Sequence, residues 1–339
     1  MRSAQLPDEQ VGADFAAQVA PYRRELLAHC YRMLGSVQDA EDLLQETLLR
    51  AWRGFGDFEG RSSLRTWLYR IATRACLNEL AHGHRRVMPS GLGAPQTGPD
   101  GMGDEAAPEV AWLQPIPDAL IDPAHGDPAT ITERSSSTRL ALIAAMQLLP
   151  ARPRAVLILR DVLGWRAAEV AELLETTVDA VNSSLLRSRA HVTRLAPAED
   201  LVEEEPAPDG SRVLDRYVAA FREADVAALV SLLRDDVQLE MPPRPAWFAG
   251  RGAVEAFLGS HLGAPDTWRM LPVRANGQRA AAAYRRDEQG VLRAHSIHLV
   301  SVRDGGIARI MVFLGGAQFA GFGLPPTLPD APPDQATPA

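Results

Sequence analysis

Residues 58–80, FEGRSSLRTWLYRIATRACLNEL, combine four Arg with a Trp, a Tyr and several hydroxyl side chains. From Leu64 onward, apolar residues recur at steps of three and four, which predicts an amphipathic helix. The predicted core face consists of Leu64, Trp67, Leu68, Ile71 and Ala75. The opposite face carries Arg65, Thr66, Tyr69, Arg70, Thr73 and Arg74. Such a face suits single-stranded nucleic acid, because Arg and hydroxyl groups hold phosphates and aromatic rings stack on bases. A solvated basic face explains the pattern equally well.

The whole chain is nevertheless acidic. Its 339 residues include 35 basic side chains, all of them Arg, and 43 acidic ones, which gives a formal net charge of −8. The acid is concentrated between the periodic segments: residues 21–86 and 136–195 each carry a net charge of +3, whereas residues 87–135 carry −7. Net charge therefore does not exclude nucleic acid as a partner.

Length and composition predict three folded units joined by linkers. The sequence contains no apolar run that could span a bilayer and does not begin like a signal peptide, so we expect a cytoplasmic protein. Cys30 and Cys76 lie in apolar helical patterns without metal-ligand spacing, so we expect buried thiols, no metal and no cofactor. The predicted boundaries are 15–86, 136–196 and 210–322 for the folded units, 87–135 and 197–209 for acidic linkers, and 323–339 for a Pro-rich tail.

The segment before the opening stretch predicts another amphipathic helix. In SVQDAEDLLQETLLRAWRGF, which starts at Ser36, apolar residues again follow steps of three and four, and Ser36 is a suitable N-cap. The other face shows Asp39, Glu41, Asp42, Gln45 and Glu46. Taken alone, this is a solvated acidic face near a helix N-terminus.

The two helices together resemble region 2 of the sigma-70 family, in its extracytoplasmic-function (ECF) group. The resemblance rests on DAEDLLQE at residues 39–46 followed by the stretch at 58–80. It implies that the acidic face binds the clamp of the RNA polymerase large subunit and that the second helix captures the melted −10 promoter element. The implied polymerase contacts are Asp39, Asp42, Gln45 and Glu46. The implied −10 contacts are Arg61, Ser62, Ser63, Arg65, Thr66, Trp67, Tyr69, Arg70, Arg74 and Asn78. Trp67 fits the core as well as it fits a DNA wedge.

Residues 139–195 predict short helices with a helix-turn-helix at their end. A helix from Ala167 to Leu174, a turn at residues 175–177 and a longer helix from Val178 match that motif. The segment LLPARPRAVLILRDVLGWRAAEVAELL resembles sigma region 4, which implies recognition of the −35 element. Glu175, where relatives often have Gly, and Asn182, where many have a basic residue, depart from the family pattern. The implied −35 contacts are Thr177, Asp179, Asn182, Ser183, Arg187 and Arg189.

The linker between these two units is not uniformly polar. In the family it runs through the polymerase interior near the RNA path, and its acidity suits either nucleic-acid mimicry or a solvated tether. Residues 87–110 predict a flexible segment, since they are rich in Gly, Pro and acid. Residues 111–123, AWLQPIPDALIDP, are too apolar for a tether, so we expect Trp112 and its apolar neighbours to dock on a folded surface.

The third unit predicts an α+β fold. A long amphipathic helix is followed by a short helix, a strand and a further helix, and then by strands at 269–275, 279–285, 292–303 and 307–314. The order resembles the SnoaL-like, NTF2-like cone, whose sheet curls round a pocket. Candidate pocket residues are Tyr217, Trp247, Trp268, His295 and His298. Strand alternation predicts that His295 and His298 lie on opposite faces, so only one of them could line the pocket.

These patterns together favour a multidomain ECF sigma factor: two all-α sigma domains followed by a SnoaL-like cone-shaped barrel. Its expected partners are core RNA polymerase, promoter DNA and a small-molecule or intramolecular ligand of the third unit, with no membrane. We expect the third unit to be regulatory and not an enzyme, because no acid–base pair with a defined spacing is visible. The alternatives are a helix-turn-helix regulator that acts without polymerase, and a cyclase or isomerase with a DNA-binding appendage.

Overall fold

A computed structural model describes residues 8–83, 85–98, 109–121, 137–195 and 208–329. These residues divide into two compact units. The helical unit is drawn from residues up to 86 and from 113 to 201, and the C-terminal unit from residues 87–112 and from 202 onward. No helix among the described residues combines the length and apolarity needed to cross a membrane. The same residues contain no group of three or more His, Cys, Asp or Glu arranged to hold a metal ion.

The helical unit begins with four helices, two of which are capped by serine, one of them at the predicted Ser36. Ser36 Oγ accepts the backbone N–H of Asp39 at 3.2 Å, and Ser63 Oγ accepts that of Thr66 at 3.1 Å. The helices are α1 (Asp8–Val19), α2 (Arg23–Leu34), α3 (Val37–Gly54) and α4 (Leu64–His82). Cys30 on α2 and Cys76 on α4 are both buried.

The same unit continues with five further helices. They are α5 (Asp118–Ile121), α6 (Leu140–Gln147), α7 (Ala151–Leu157), α8 (Ala167–Leu173) and α9 (Val178–Leu195), with a π-helical turn at Ile158–Val162 after α7. Arg154, 3% exposed, joins the two halves of the unit: it donates to the Met33 carbonyl at the end of α2 and to Gln147 Oε1 at 2.7 Å. The residues resembling regions 2 and 4 therefore pack together as one body.

The apolar linker patch is buried in this unit. Leu113 and Ile116 are 1% and 0% exposed. Gln114 Oε1 accepts hydrogen bonds from Ser36 Oγ at 3.1 Å and from the Val37 backbone N–H at 3.0 Å, at the start of α3. Gly35, with φ +72°, cannot be replaced freely, because a Cβ there would lie 2.6 Å from Leu113 Cδ2.

The C-terminal unit packs three helices on one mixed sheet. The helices are α10 (Pro208–Glu223), α11 (Val226–Ser231) and α12 (Arg251–His261). The strands are β1 (Leu233–Glu240), β2 (Trp247–Ala249), β3 (Trp268–Ala275), β4 (Gln278–Arg286), β5 (Leu292–Arg303), β6 (Gly306–Leu314) and β7 (Thr327–Leu328). The sheet order is β2-β1-β6-β5-β4-β3, with β7 paired to β5. The α+β prediction is confirmed, and the sheet is open, not a closed barrel.

Pairing in the sheet is antiparallel except between β1 and β6, which run parallel. The four predicted strands agree with β3 to β6 to within one residue at each end. Two turns between these strands have left-handed backbone at both central residues: Asn276 and Gly277 at φ 56° and 69°, and Asp304 and Gly305 at φ 50° and 74°. This geometry suits two-residue hairpins, which is why the Asn-Gly and Asp-Gly signals locate the strands so closely.

Candidate functional site

The acidic face of α3 carries an exposed apolar side chain. Asp42, Gln45 and Glu46 are exposed, and Leu49, one turn further on, is 55% exposed. Asp39 is half-buried and pairs with Arg86. Leu49 is therefore a single apolar side chain at the edge of a helix face of acidic and amide groups.

The buried face of α4 differs from the predicted one. Tyr69 and Thr73 are 1% and 0% exposed, and Thr73 Oγ1 lies 2.9 Å from His29 Nε2 on α2. The Tyr69 hydroxyl donates to the Glu25 carbonyl at 3.4 Å. The prediction that Tyr69 faces outward is wrong in this structure, because α4 packs against neighbouring helices on more than one side. Tyr69 therefore supports the helix from inside the unit and does not offer its ring to a base.

The arginines of α4 are paired with carboxylates of the same unit. Arg65 holds Glu25 in a bidentate pair, with Nε–Oε1 2.9 Å and Nη2–Oε2 2.8 Å, and its guanidinium lies 4.9 Å from the Tyr69 ring centroid. The hydrogen bonds that Arg65 donates to the Glu25 carboxylate raise the pKa of Arg65 above its usual value. The other two pairs, Arg70–Glu172 at 2.8 Å and Arg74–Glu175 at 3.6 Å, join α4 to the helix-turn-helix.

The loop before α4 presents polar groups beside an aromatic cluster. Arg61 and Ser63 are exposed, as is Asn78 later on the helix, while Ser62 and Thr66 are half-buried. Trp67 is half-buried, and its ring centroid lies 4.9 Å from that of Phe58. Trp67 therefore supports the loop.

The helix-turn-helix has the geometry that its sequence predicts. Thr177 Oγ1 accepts the Ala180 backbone N–H at 3.1 Å and so caps α9, and Glu175 adopts the left-handed φ of 52° that a turn Gly would supply. Arg189 is held by Asp161 at 2.8 and 2.6 Å. The exposed side of α9 consists of Asp179, Asn182, Ser183, Leu186 and Arg187, with Leu186 71% exposed.

The concave face of the sheet encloses a cavity of about 940 Å³ with α10 and α12. Tyr217, Trp268, His295 and His298 line it, as predicted for a pocket. Trp247 does not belong to its lining. Adjacent strand residues point to opposite faces, so Phe248 enters the core of the unit while Trp247 lies on the convex face.

The prediction that His295 and His298 cannot share one face is wrong. Ala283 of β4 pairs with Ser296, but the next residue, Tyr284, pairs with Ala294, so His295 is an extra residue in β5. This β-bulge resets the alternation, and both histidines line the cavity. A single sequence does not show a bulge, because the extra residue does not interrupt the apolar pattern.

A chain of hydrogen bonds follows this wall of the cavity. The Tyr217 hydroxyl lies 2.9 Å from His298 Nδ1, His298 Nε2 lies 2.9 Å from Ser296 Oγ, and Ser296 Oγ lies 3.0 Å from His295 Nδ1. Burial lowers the pKa of His298 to about 3 and that of His295 to about 4, and nearby arginines contribute to the second shift. Burial also raises the pKa of Tyr217. The chain is thus uncharged at neutral pH.

Comparison with known proteins agrees with both units. Family models match sigma-70 region 2 at residues 19–86, sigma-70 region 4 at residues 139–192 and a SnoaL-like domain at residues 214–310. The chain is 45% identical over 329 residues to the ECF RNA polymerase sigma factor SigG of Mycobacterium tuberculosis strain H37Rv, covering 96% of this chain and 88% of SigG. The chain belongs to the ECF group of the sigma-70 family.

One further relative, SigJ, matches this chain in both sequence and structure. The ECF sigma factor SigJ of Mycobacterium tuberculosis strain H37Rv is 31% identical over 216 residues, which cover 63% of this chain and 61% of SigJ. A crystal structure of SigJ aligns with a TM-score of 0.61 and 22% identity, covering 91% of this chain and all of that one. At this identity the structural match supports the fold alone.

In this sigma factor, part of the segment between regions 2 and 4 belongs to the C-terminal unit. The Ser90 backbone N–H donates to Glu240 Oε2 at 2.9 Å, Trp247 Nε1 donates to the Gly93 carbonyl at 2.8 Å, and the Gln96 backbone N–H donates to the Trp247 carbonyl at 2.8 Å. We call Glu240 and Trp247 the linker clamp. The flexible-tether prediction is wrong for residues 87–98, because their backbone groups bond to this unit.

Several residues of these surfaces escaped sequence reasoning. Leu49 and Leu186 are apolar residues on otherwise polar helix faces. A repeat of apolar residues at steps of three and four does not identify such single exposed positions. Glu172 and Glu175 belong to a different region from the arginines they bind, so only the folded unit brings them together. Arg244 and Arg285 line the cavity, but they lie in a loop and at a strand end, where Arg usually faces solvent.

Proposed function

We propose that this sigma factor acts in the cytoplasm, where it brings core RNA polymerase to promoters by binding the polymerase clamp through α3. The observation that carries the proposal is the exposed set Asp42, Gln45 and Glu46, with Leu49 beside it, on the helix that the sigma-70 region 2 model covers. Asp39 supports this surface through its pair with Arg86. α4 then binds the −10 element and α9 the −35 element.

Two exposed leucines provide matched tests of the two kinds of contact. Leu49→Ser should weaken binding to purified core polymerase about tenfold, since loss of a buried apolar contact costs about 1–2 kcal/mol. Leu186→Ser should leave core binding unchanged and weaken −35 duplex binding instead, because an apolar side chain in a major groove contacts thymine methyl groups. Run-off transcription should fall for both. Equal core binding by Leu49→Ser and the wild type would remove α3 from the polymerase interface.

The α4 arginines must be released before they can bind DNA. Arg70 and Arg74 are paired with Glu172 and Glu175 of the helix-turn-helix segment. Because the same two arginines are proposed contacts of the −10 strand, the helix-turn-helix and the strand would compete for them. We propose that polymerase binding separates the two regions. Direct −10 contacts would then come from Arg61, Ser62, Ser63, Thr66, Arg70, Arg74 and Asn78, with Arg65, Trp67 and Tyr69 as positioning residues.

We propose further that the C-terminal unit regulates transcription through the linker clamp. A linker held at Ser90, Gly93 and Gln96 is not free to follow the path through the polymerase that the family implies. Trp247→Phe keeps a ring but removes the N–H that donates to Gly93. It should raise hydrogen exchange in residues 90–96 and change run-off transcription at least about threefold, whereas Trp268→Phe should not raise exchange there. Increased exchange with unchanged transcription would contradict the regulatory role.

We propose that the cavity binds a ligand and does not catalyse a reaction. Its lining contains no carboxylate, and pKa values of about 3 and 4 make His298 and His295 weak general bases at neutral pH. The third lining histidine, His261, stacks on Phe257 at a centroid distance of 4.3 Å, and its Nδ1 lies 2.9 Å from the Phe257 carbonyl, so it is held within its own helix. Incubating the purified protein with enolisable ketones in deuterated water should therefore give no deuterium exchange above the uncatalysed rate.

A further inference from the structure

The cavity of the C-terminal unit has the size and shape of a small-molecule site. Its volume of about 940 Å³ lies within the range of roughly 300–1,000 Å³ that is common for such sites. Most of the wall is apolar, from both helices and from the inward residues of β1, β3 and β6. The apolar lining includes Phe221, Leu239, Phe257, Leu262, Trp268 and Val312.

The polar groups of this cavity lie along one edge of the sheet. Arg285 is near the end of β4 and pairs with Trp268 at the start of β3, while His295 is near the start of β5. Arg244 follows the end of β1, which runs parallel to β6 and so ends at the same edge. A ligand that fills the cavity would thus meet apolar walls along its body and cations at one end.

One arginine at this edge, Arg285, has no carboxylate partner among the described residues. The cavity lining contains Arg244 and Arg285 but no Asp or Glu. Arg285 is exposed, and its guanidinium lies 5.5 Å from the Trp268 ring centroid. Burial lowers the pKa of His295 to about 4, and the positive charges of Arg285 and Arg244 add to this shift. The polar end of the cavity therefore offers the Arg285 guanidinium to an anion.

We propose that the cavity binds a small apolar molecule with one carboxylate, whose charge lies at Arg285 and whose hydrocarbon body packs among the aromatic walls. A planar carboxylate matches the fork of the Arg guanidinium. Ser296 fixes the hydrogen bond of His295 Nδ1, so its Nε2 is the nitrogen left to meet the ligand.

The cavity and the linker clamp share the strand β1. Leu239 and Met241 line the cavity, while Glu240 between them points to the other face and binds Ser90. A ligand that shifts the end of β1 would therefore act on the linker. This link rests on the proposed regulatory role, whereas binding itself does not.

The direct test is calorimetry on the full-length protein with three probes of equal chain length: dodecanoate, dodecanol and dodecyltrimethylammonium. 1-Naphthoate tests an aromatic body in the same way. We expect one of the two carboxylates to bind at least tenfold more tightly than dodecanol, and the cation not to bind. Arg285→Gln should weaken carboxylate binding at least tenfold, whereas Arg279→Gln, which removes a charge from the same strand outside the cavity, should not.

A second readout does not depend on the Arg285 variant. A bound anion should raise the pKa of His295 by at least one unit, visible in the pH titration of its ring NMR signal. The charged or titratable groups that line the cavity with His295 are Arg285 from β4, Arg244 from the loop after β1, Tyr217 from α10, His261 from α12 and His298 from its own strand. Absence of carboxylate binding at millimolar concentration, equal binding of acid and cation, or equal loss in both Arg variants would overturn the proposal. If dodecanoate binds but leaves hydrogen exchange at residues 90–96 unchanged, only the link to the linker clamp fails.

Discussion

The −10 surface of the helical unit and the cavity of the C-terminal unit differ in how their arginines are partnered. In the helical unit, arginines find partners within the protein: Arg65 binds Glu25, Arg70 binds Glu172, and the buried Arg154 bonds to several carbonyls. In the C-terminal unit, the cavity is lined by the neutral His295 and His298 and by the exposed Arg285, which has no carboxylate partner among the described residues.

The two surfaces represent two states of a binding surface: one is occupied by groups of the same chain, and the other has no counter-ion. A cationic surface whose partners come from the same chain is occupied, and its ligand must displace those partners. A cationic surface without a counter-ion is open to a ligand from outside, because the energetic cost of desolvating that ligand is offset by a charge already in place. The first arrangement makes promoter binding conditional, whereas the second makes the cavity ready to bind.

The largest loss of stability in the helical unit should come from removing Arg154. Its side chain donates to the carbonyls of Met33, Gln147 and Leu149, and burial lowers its pKa to about 10, so it remains charged at neutral pH. Arg154→Ala leaves these carbonyls buried without a donor, and the free energy of unfolding should fall by about 3 kcal/mol. Urea denaturation followed by tryptophan fluorescence measures this change.

Arg152 supplies the control for that variant. It is exposed and donates a single hydrogen bond, to the Leu174 carbonyl at 3.3 Å. Arg152→Ala should change the unfolding free energy by about 0.5 kcal/mol. Equal effects of the two substitutions would show that Arg154 does not join the two halves of the helical unit.

Lowering the pH should destabilise the C-terminal unit, because His298 is buried in its neutral form in the folded state. Burial lowers the pKa of His298 from 6.5 to about 3, so the unfolded chain binds a proton below pH 6.5 that the folded state does not. Stability contributed by the neutral form is therefore complete above pH 6.5 and falls as the pH decreases from 6.5 towards 3. Between pH 7 and pH 5 the loss should be about 2 kcal/mol for this histidine. His29 adds a similar loss to the helical unit, because its pKa is also about 3.

The His298→Gln variant separates these contributions. Denaturation at pH 7 and pH 5, with limited proteolysis to follow each unit, should show a smaller pH effect in the C-terminal unit of His298→Gln and an unchanged effect in the helical unit. The exposed His82 is the control, and His82→Gln should behave as the wild type. The assignment fails if His298→Gln retains the full acid sensitivity of the C-terminal unit.

Most of the fold could be predicted because its signals are local. Ser36 and Ser63 begin helices, and Asn276-Gly277 and Asp304-Gly305 turn hairpins, each through its own backbone preference. The sequence predicts regions 2 and 4 as separate folded units. It does not show that they pack together, because Arg154 and the 113–116 patch join residues that are distant in the sequence.

The three wrong site predictions have the same physical cause. The position of each side chain depends on a packing neighbour that is distant from it in the sequence. Tyr69 looks exposed by helical spacing but is covered by α2. His295 looks misplaced by strand alternation, but the bulge opposite Ala283 turns it into the cavity. Trp247 resembles a pocket aromatic, yet its partner is the Gly93 carbonyl in the segment predicted as a flexible tether.

Neutralising Glu172 and Glu175 would open the occupied surface with the smallest change to the protein. Both carboxylates are largely exposed, so each ion pair with Arg70 or Arg74 contributes only about 0.5 kcal/mol. The double variant Glu172→Gln, Glu175→Gln should therefore fold normally and bind single-stranded −10 DNA about two- to fivefold more tightly in the absence of polymerase. Fluorescence anisotropy with a labelled oligonucleotide measures the change, which should shrink at high salt.

Any loss of negative charge favours DNA, so the double variant needs a control of equal charge. Glu79 is exposed on α4 itself and makes no ion pair with another described residue. If occupation of Arg70 and Arg74 limits DNA binding, Glu79→Gln should raise affinity less per charge removed than the double variant does. If the gain per charge is the same, the two glutamates act only through the overall field, and region 4 does not guard the −10 surface. With core polymerase present, the advantage of the double variant should disappear, because the proposed separation of the regions has then already released both arginines.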